Sequence, residues 1–260
     1  MKSIAHILWP ILFGFLLLCL WQGLVVFYEI PEYILPGPLA IAESLIVDGP
    51  DLLGSLGTTL RVTITALILA AVTGVGLAIF LVQSRLIESI LFPYTVFLQV
   101  TPIVTVAPFI IIWVDDVFYV LLILAWMAAV FPIISSTLLG LKSADTNLRD
   151  LFRLYNATRT QTLRYLLLPA ALPYFLGGLR ISGGLALIGT VVAEMVAGTS
   201  GQSSGLAARL LEASYRLELA RALACFVLLS MSGYGIYLSL NWFSHRLLKH
   251  WHESAIAEER

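Results

Sequence analysis

The sequence predicts an all-α, polytopic membrane protein, and three observations predict it. Of 260 residues, 59% are hydrophobic and 12% are charged, whereas a soluble domain carries about a quarter charged residues. Mean hydropathy is +0.93. The apolar residues gather in six runs, five of them uncharged, each close to the roughly 20 residues that a helix needs to cross a bilayer. The net charge of -1 carries little information, because membrane proteins distribute charge by side rather than by total.

The first run, residues 7–28, holds no charge. It is long for the apolar core of a secretory leader and no small-residue cleavage site follows it, so it reads as the first span. Residues 29–61 are punctuated by Pro31, Pro36, Pro38 and Pro50 and by Gly37, Gly49 and Gly54, so they read as mostly non-spanning. Within them, 39–47 reads as a short helix lying at the interface. Residues 62–82 form the second span. Its Ala66, Ala70, Gly74 and Ala78 make a small-residue stripe at i+4 spacing. Such a stripe lets another helix approach closely, either within the bundle or across a dimer interface.

After a polar turn at 83–88, the third span occupies 90–114 and carries Pro93, Pro102 and Pro108. Proline removes a backbone donor and kinks a helix, which lipid tolerates only where partners satisfy the freed carbonyls. This span is therefore expected inside the bundle or along a cavity. Gln99, Thr101 and Thr105 are candidate pathway residues; the alternative for the threonines is a bond to their own helix backbone.

Trp113, Asp115 and Asp116 mark a short loop before the fourth span, 117–141, which contains Pro132. The fifth span, 173–192, carries one charge, Arg180, and a second small stripe of Gly178, Ser182, Ala186 and Thr190. Arg180 lies roughly 10 Å in from Pro173 at the helical rise. It either snorkels to the nearer headgroups or contacts an anion or partner in the pathway. Thr190, and Glu194 at the boundary, complete the candidate pathway set. Residues 194–221 read as a second non-spanning stretch with a short helix over 205–219, and 222–243 form the sixth span. Cys19 and Cys225 sit inside apolar runs, where they read as small packing residues.

The longest polar insertion, 142–173, holds five of the fifteen basic residues. Leu148, Leu151, Phe152 and Tyr155 recur at helical spacing, with Arg149, Arg153 and Asn156 between them. A helix this short cannot bury its apolar stripe against itself. It must lie on lipid headgroups or dock into another protein. With both termini inside, the inner segments carry ten Lys and Arg and the outer ones four, Arg61, Arg209, Arg216 and Arg221, which is the expected inward bias.

These residues resemble the signature cytoplasmic loop of binding-protein-dependent ABC transporter permeases. Asp150, Leu151 and Phe152 stand at its Glu-Ala-Ala positions, Asn156 at its glycine, and Leu168-Pro169 at its Leu-Pro ending. The following ALPYFLGGLRI looks like the nitrate, sulfonate and taurine branch, as do LPGP at 35–38, TLRV at 59–62 and VVAE at 191–194. Asn is the non-glycine residue that best tolerates a left-handed turn, so the bend is expected to survive the replacement.

The resemblance implies a type I ABC importer permease fold: six transmembrane helices with a cytoplasmic coupling helix, in the bacterial inner membrane, both termini cytoplasmic. It implies a pathway for a small polar solute, such as a sulfonate, taurine or nitrate-like anion or a pyrimidine-type vitamin precursor. An external solute-binding protein would deliver it, and two ATPase subunits and a second permease copy would complete the assembly. Coupling is expected through a helix over 150–158, with Asp150, Leu151, Phe152, Tyr155, Asn156, Ala157 and Thr158 as the ATPase-coupling residues.

The chain has no Gly-x-x-x-x-Gly-Lys-Ser/Thr loop, so ATP is expected on a partner subunit, with no cofactor bound here. Gly201 to Gly205 matches the hydrolase string Gly-x-Ser-x-Gly, but a membrane helix rather than a strand precedes it. His245, His250 and His252 form no closed ligand set, so no metal is expected. No catalytic residues are expected, and the chain reads as a non-enzyme. The reading from another class is a stand-alone secondary carrier or channel. Its marks would be paired intramembrane acids or inverted repeats, and the spans hold no acid except Glu194 at a boundary.

Overall fold

The computed structural model describes residues 2–197 and 204–249. Gly201, Gln202 and Ser203 of the hydrolase-like string, and His250 and His252, lie outside the described residues. Every regular element among them is helical: α1 (Lys2–Phe27), α2 (Pro38–Val47), α3 (Gly49–Val82), α4 (Arg85–Val100), α5 (Ile103–Trp113), α6 (Val117–Lys142), α7 (Thr146–Leu154), α8 (Arg159–Thr162), a π-helical turn (Leu163–Leu167), α9 (Leu168–Ala197), α10 (Leu206–Tyr215) and α11 (Leu219–Leu248). In lipid only helices or closed barrels satisfy their own backbone, and this chain uses helices. Among the described residues, four helical stretches are long and apolar enough to cross a membrane: Gly49–Val82, Val117–Lys142, Arg159–Ala197 and Leu219–Leu248. α4 and α5 pass that test only together.

Three of the bounds that differ from the sequence reading change where prolines or candidate residues fall. α3 begins at Gly49 rather than 62, because Pro50 falls in the first helical turn, where its missing N–H has no partner to lose. The stretch 90–114 is two helices that meet at 97°. Pro93 and Pro108 stay within α4 and α5, and only Pro102 breaks the chain. Thr101 is extended there, with φ -69° and ψ 120°, as the residue before a proline prefers. α9 begins at Leu168 and continues to Ala197, so Glu194 lies inside a helix instead of at a span boundary.

Contacts divide the chain into two compact units, Met1–Thr58 with Ser200–Ser230, and Thr59–Thr199 with Met231–Arg260. In the first unit, Gln22 Oε1 accepts from the Leu39 N–H at 3.2 Å, satisfying one of the unpaired donors at the start of α2. A Cβ at Gly37 would stand 2.5 Å from the same oxygen. Asp51 accepts from Arg221 at 2.6 Å and from Arg209 at 3.4 Å. Glu212 pairs with Arg209 at 3.2 Å and with Arg216 at 2.7 Å. This ion network ties α10 and the first turn of α11 to the first turn of α3.

The second unit is built on α6 and α9. Leu124, Ile133, Ile134, Leu141 and Leu176 are fully buried in it. Both small-residue stripes are used for packing within the chain. Ala66, Ala70 and Ala78 are wholly buried, and a Cβ on Gly74 would come within 2.8 Å of Ile133 Cγ2 on α6. On α9, a Cβ on Gly178 would stand 2.8 Å from the Pro132 carbonyl oxygen, and one on Gly189 would stand 3.0 Å from Ala125 Cα. The Ser182 hydroxyl donates to the Ala129 carbonyl at 2.6 Å. Close backbone approach replaces the hydrophobic drive that helices lack in lipid.

Candidate functional site

The polar insertion between α6 and α9 folds into a short, well-capped structure. Ser143, Ala144 and Asp145 turn the chain, and Asp145 Oδ1 accepts from the Asn147 N–H at 2.7 Å to start α7. That is an ordinary N-cap for an Asp. No residue of α7 is buried. Leu148 and Leu151 are 46% and 44% exposed, and Leu154 and Tyr155 are 79% and 80% exposed. The apolar stripe predicted from the sequence is therefore on the surface of this chain.

Arg149 faces the other way. Its Nη2 donates to the carbonyls of Leu141 at 2.8 Å and Lys142 at 3.1 Å. These are the last two residues of α6, whose terminal carbonyls have no helical donors. A guanidinium there satisfies them and complements the negative end of the helix dipole. α7 is thus fixed to α6 twice, by the three-residue turn and by Arg149. Lys142 also forms an ion pair with Glu88 of α4.

α7 stops at Leu154 because of the residues that follow. Tyr155 caps it, and Asn156 takes φ 52°. The Ala157 N–H bonds the Phe152 carbonyl at 2.9 Å and the Asn156 N–H bonds the Arg153 carbonyl at 3.0 Å. This is the Schellman arrangement, in which a left-handed residue closes the helix end. Thr158 then opens α8 with a full capping box to Gln161. The coupling segment expected as one helix over 150–158 is accordingly three conformations. Asp150, Leu151 and Phe152 lie in α7, Tyr155, Asn156 and Ala157 form the turn, and Thr158 caps α8. The helix sits earlier, at Thr146–Leu154, because Asp145 is the better cap and Asn156 the better stop.

The candidate pathway residues separate. Thr101 and Thr105 donate to the carbonyls of Phe97 and Pro102, both at 2.7 Å, so each serves its own backbone at the α4–α5 break. Gln99 is exposed near the end of α4. Arg180 is half-buried on α9, and its Nε has no hydrogen-bond partner among the described residues. Thr190 is wholly buried, its hydroxyl donates to Ala186 O at 2.9 Å, and it lies 3.1 Å from the Thr63 hydroxyl on α3. Glu194, one turn on, is also buried. Thr63 is not among the residues named from the sequence, and Arg149 is named there only as a polar residue between the apolar ones, not as a site residue. Both look there like ordinary polar positions: the Thr63 hydroxyl bonds the Thr59 carbonyl of its own helix at 2.8 Å, and only the fold brings it to Thr190 and Arg149 to the end of α6.

α7 thus leaves apolar side chains on the surface beside the end of α6, in a sequence without a Gly-x-x-x-x-Gly-Lys-Ser/Thr loop. A model of the family described as "binding-protein-dependent transport system inner membrane component" matches residues 66–249. The chain belongs to that family. A probable ABC transporter permease of Haemophilus influenzae is 30% identical over 94% of this chain and 98% of its own length. The formylaminopyrimidine transport permease of Halalkalibacterium halodurans is 31% identical over 77% of this chain and 80% of its own. A putative aliphatic sulfonates transport permease of Bacillus subtilis is 29% identical over 84% of this chain and 78% of its own. The permease fold itself recurs in a crystal structure of an amino acid ABC transporter with histidines, at TM-score 0.63 and 14% identity, over 80% of this chain and 97% of that one. The chain is thus an inner-membrane permease subunit of an ABC importer for a small solute, not an enzyme. ATP is used by a partner ATPase, and a solute-binding protein is the other partner its family implies.

Proposed function

We propose that this permease forms the translocation pathway for a small polar solute and takes its driving motion from the ATPase through residues 146–158. The observation that carries this is the geometry of α7: exposed Leu148, Leu151 and Tyr155 on one side, and on the other Arg149 bonded to the end of α6. A groove on the ATPase that closes on Tyr155 and the Asn156 turn would move α7 as a rigid body and bias the bundle between two arrangements. The solute class follows the relatives, whose names give a formylaminopyrimidine and aliphatic sulfonates. Both are small and polar, so a sulfonate, taurine or nitrate-like anion or a pyrimidine-type vitamin precursor is the proposed cargo. The assembly is proposed as two permease copies with two ATPase subunits. Six spans are proposed, with α1 and the α4–α5 pair counted beside the four long stretches, and both termini in the cytoplasm.

The test is purification in mild detergent through a C-terminal tag, followed by mass spectrometry and by solute uptake in cells. The wild type is expected to bring down a stoichiometric ATPase. Asn156→Pro removes the N–H that closes α7 and cannot adopt φ 52°, so it should lose the ATPase and abolish uptake while still inserting in the membrane. Tyr155→Asp should do the same. Normal uptake by either variant would remove the turn from the coupling path, and uptake indifferent to ATP would favour a stand-alone carrier.

A further inference from the structure

A concave basic surface flanks Arg149. On one side is a cavity of about 420 Å³ with Val82, Leu163 and Leu167 in its wall and Arg149, Arg153 and Arg159 around it. On the other is a cavity of about 600 Å³ that brings Arg85 and Lys142 to the same Arg149, with Val82, Phe92 and Pro93 beneath. The single acid in the second lining is Glu88, which is already paired to Lys142. No acid lines the first. Among the described residues, Arg85 and Arg159 form no ion pair, and Arg153 has only Asp150, at 3.3 Å on the exposed surface. Cations gathered around one hollow raise its potential and favour an anion in it.

The position of the hollow narrows the kind of anion. Val82 is the last residue of α3, one of the four membrane-crossing stretches. The apolar wall therefore lies at the end of a span, and the guanidinium groups lie where headgroups begin. A free inorganic anion would use the arginines and leave Val82, Leu163 and Leu167 facing water. A molecule with an anionic head and an apolar root would use both. We propose that the smaller cavity is a binding site for an anionic phospholipid. Arg153 and Arg159 hold its phosphate, and Val82, Leu163 and Leu167 take the start of its acyl chains. Arg149 adds charge while its Nη2 stays on the α6 carbonyls. Basic pockets beside membrane helices recognise such headgroups in this way. The site lies between the end of α3 and the α8 and π-turn segment, so an occupied site would brace the segment that follows the Asn156 turn. The proposal stands whichever face of the membrane this loop occupies and whether or not α7 docks an ATPase.

The experiment is native mass spectrometry of the tagged chain, with any co-purifying subunits, after addition of phosphatidylglycerol or phosphatidylcholine. Wild type is expected to retain phosphatidylglycerol in preference. Each of Arg153→Gln and Arg159→Gln should weaken that retention about fivefold, the worth of one basic residue near an anionic headgroup. Arg159→Lys should keep most of it. Arg246→Gln, a cation on α11 stacked over Trp242, is the control and should change nothing. Equal retention by wild type and both glutamine variants would overturn the site. Displacement of the phospholipid by inorganic phosphate would overturn the lipid occupant in favour of a free anion. Unchanged phosphatidylglycerol retention together with loss of a co-purifying ATPase in Arg159→Gln would reassign the arginines to a protein contact. Failure of the coupling reading, seen as normal uptake by Asn156→Pro, leaves each of these outcomes as it is.

Discussion

At Asn156 one backbone angle decides how α7 ends. The Schellman closure needs a left-handed residue, and an L-residue with a Cβ pays roughly 1–2 kcal/mol there, glycine none and Asn less than most. Asn156→Gly is therefore expected to capture the ATPase and support uptake as the wild type does. Asn156→Val places a β-branched side chain at φ 52°. It should lower the melting temperature in detergent by an amount equivalent to about 1–2 kcal/mol and reduce ATPase capture. Capture by the valine variant at the wild-type level would show that docking does not depend on this turn. The angle was legible from sequence because Asn at a glycine position is itself a conformational signal. Thr101 and Thr105 were half legible. Each hydroxyl adds a second donor to a carbonyl that the same residue's backbone N–H already bonds, Phe97 for Thr101 and Pro102 for Thr105. Arg149 was not legible, since its use as a cap depends on α7 folding back onto α6.

Among the elements, α7 is the one whose attachment matters more than its length. Arg149→Met keeps a long apolar stem but removes the donor to Leu141 and Lys142. Leu148, Leu151 and Tyr155 stay in place, so the variant is expected to bring down the ATPase in normal amount. Its uptake should fall about tenfold, because one of the two links from α7 to α6 is gone; that factor corresponds to about 1.4 kcal/mol of lost coupling. ATP hydrolysis should persist but no longer respond to the solute-binding protein. Arg149→Lys, which can still donate to a carbonyl, should recover part of the uptake. Unchanged uptake in the methionine variant would show that the turn at 143–145 carries the motion alone. The same contrast explains which elements the sequence made visible. Runs of apolar residues gave the long helices and their order. They did not show which of Pro93, Pro102 and Pro108 would break a helix, because neighbouring helices can satisfy a freed carbonyl at one site and not at another. The proline and glycine residues before 62 concealed the first turns of α3 for a related reason: proline opens a helix as readily as it interrupts one.

For the whole molecule, the count of membrane crossings rests on the α4–α5 pair. The 97° bend is compatible with a span broken near its middle or with a re-entrant loop that returns to its starting side. The two predict opposite topologies. Between Tyr33, in the segment that joins α1 to α2, and Asn147 in α7 lie α3, the bent pair and α6. If the pair crosses, three crossings separate the two residues and they face opposite sides; if it is re-entrant, two crossings do and they face the same side. The inward bias of Lys and Arg favours crossing. A re-entrant pair would put Asp115 and Asp116 on the same side as Arg85, and would leave the termini on opposite faces. Cysteines placed singly at Tyr33 and Asn147, in a chain with Cys19 and Cys225 replaced, can be probed with a membrane-impermeant thiol reagent in intact and permeabilised cells. Tyr33→Cys is expected to react in intact cells and Asn147→Cys only after the membrane is opened. Reaction of both in intact cells, or of neither, would make the pair re-entrant. It would also remove the six-span arrangement on which the cytoplasmic placement of both termini depends.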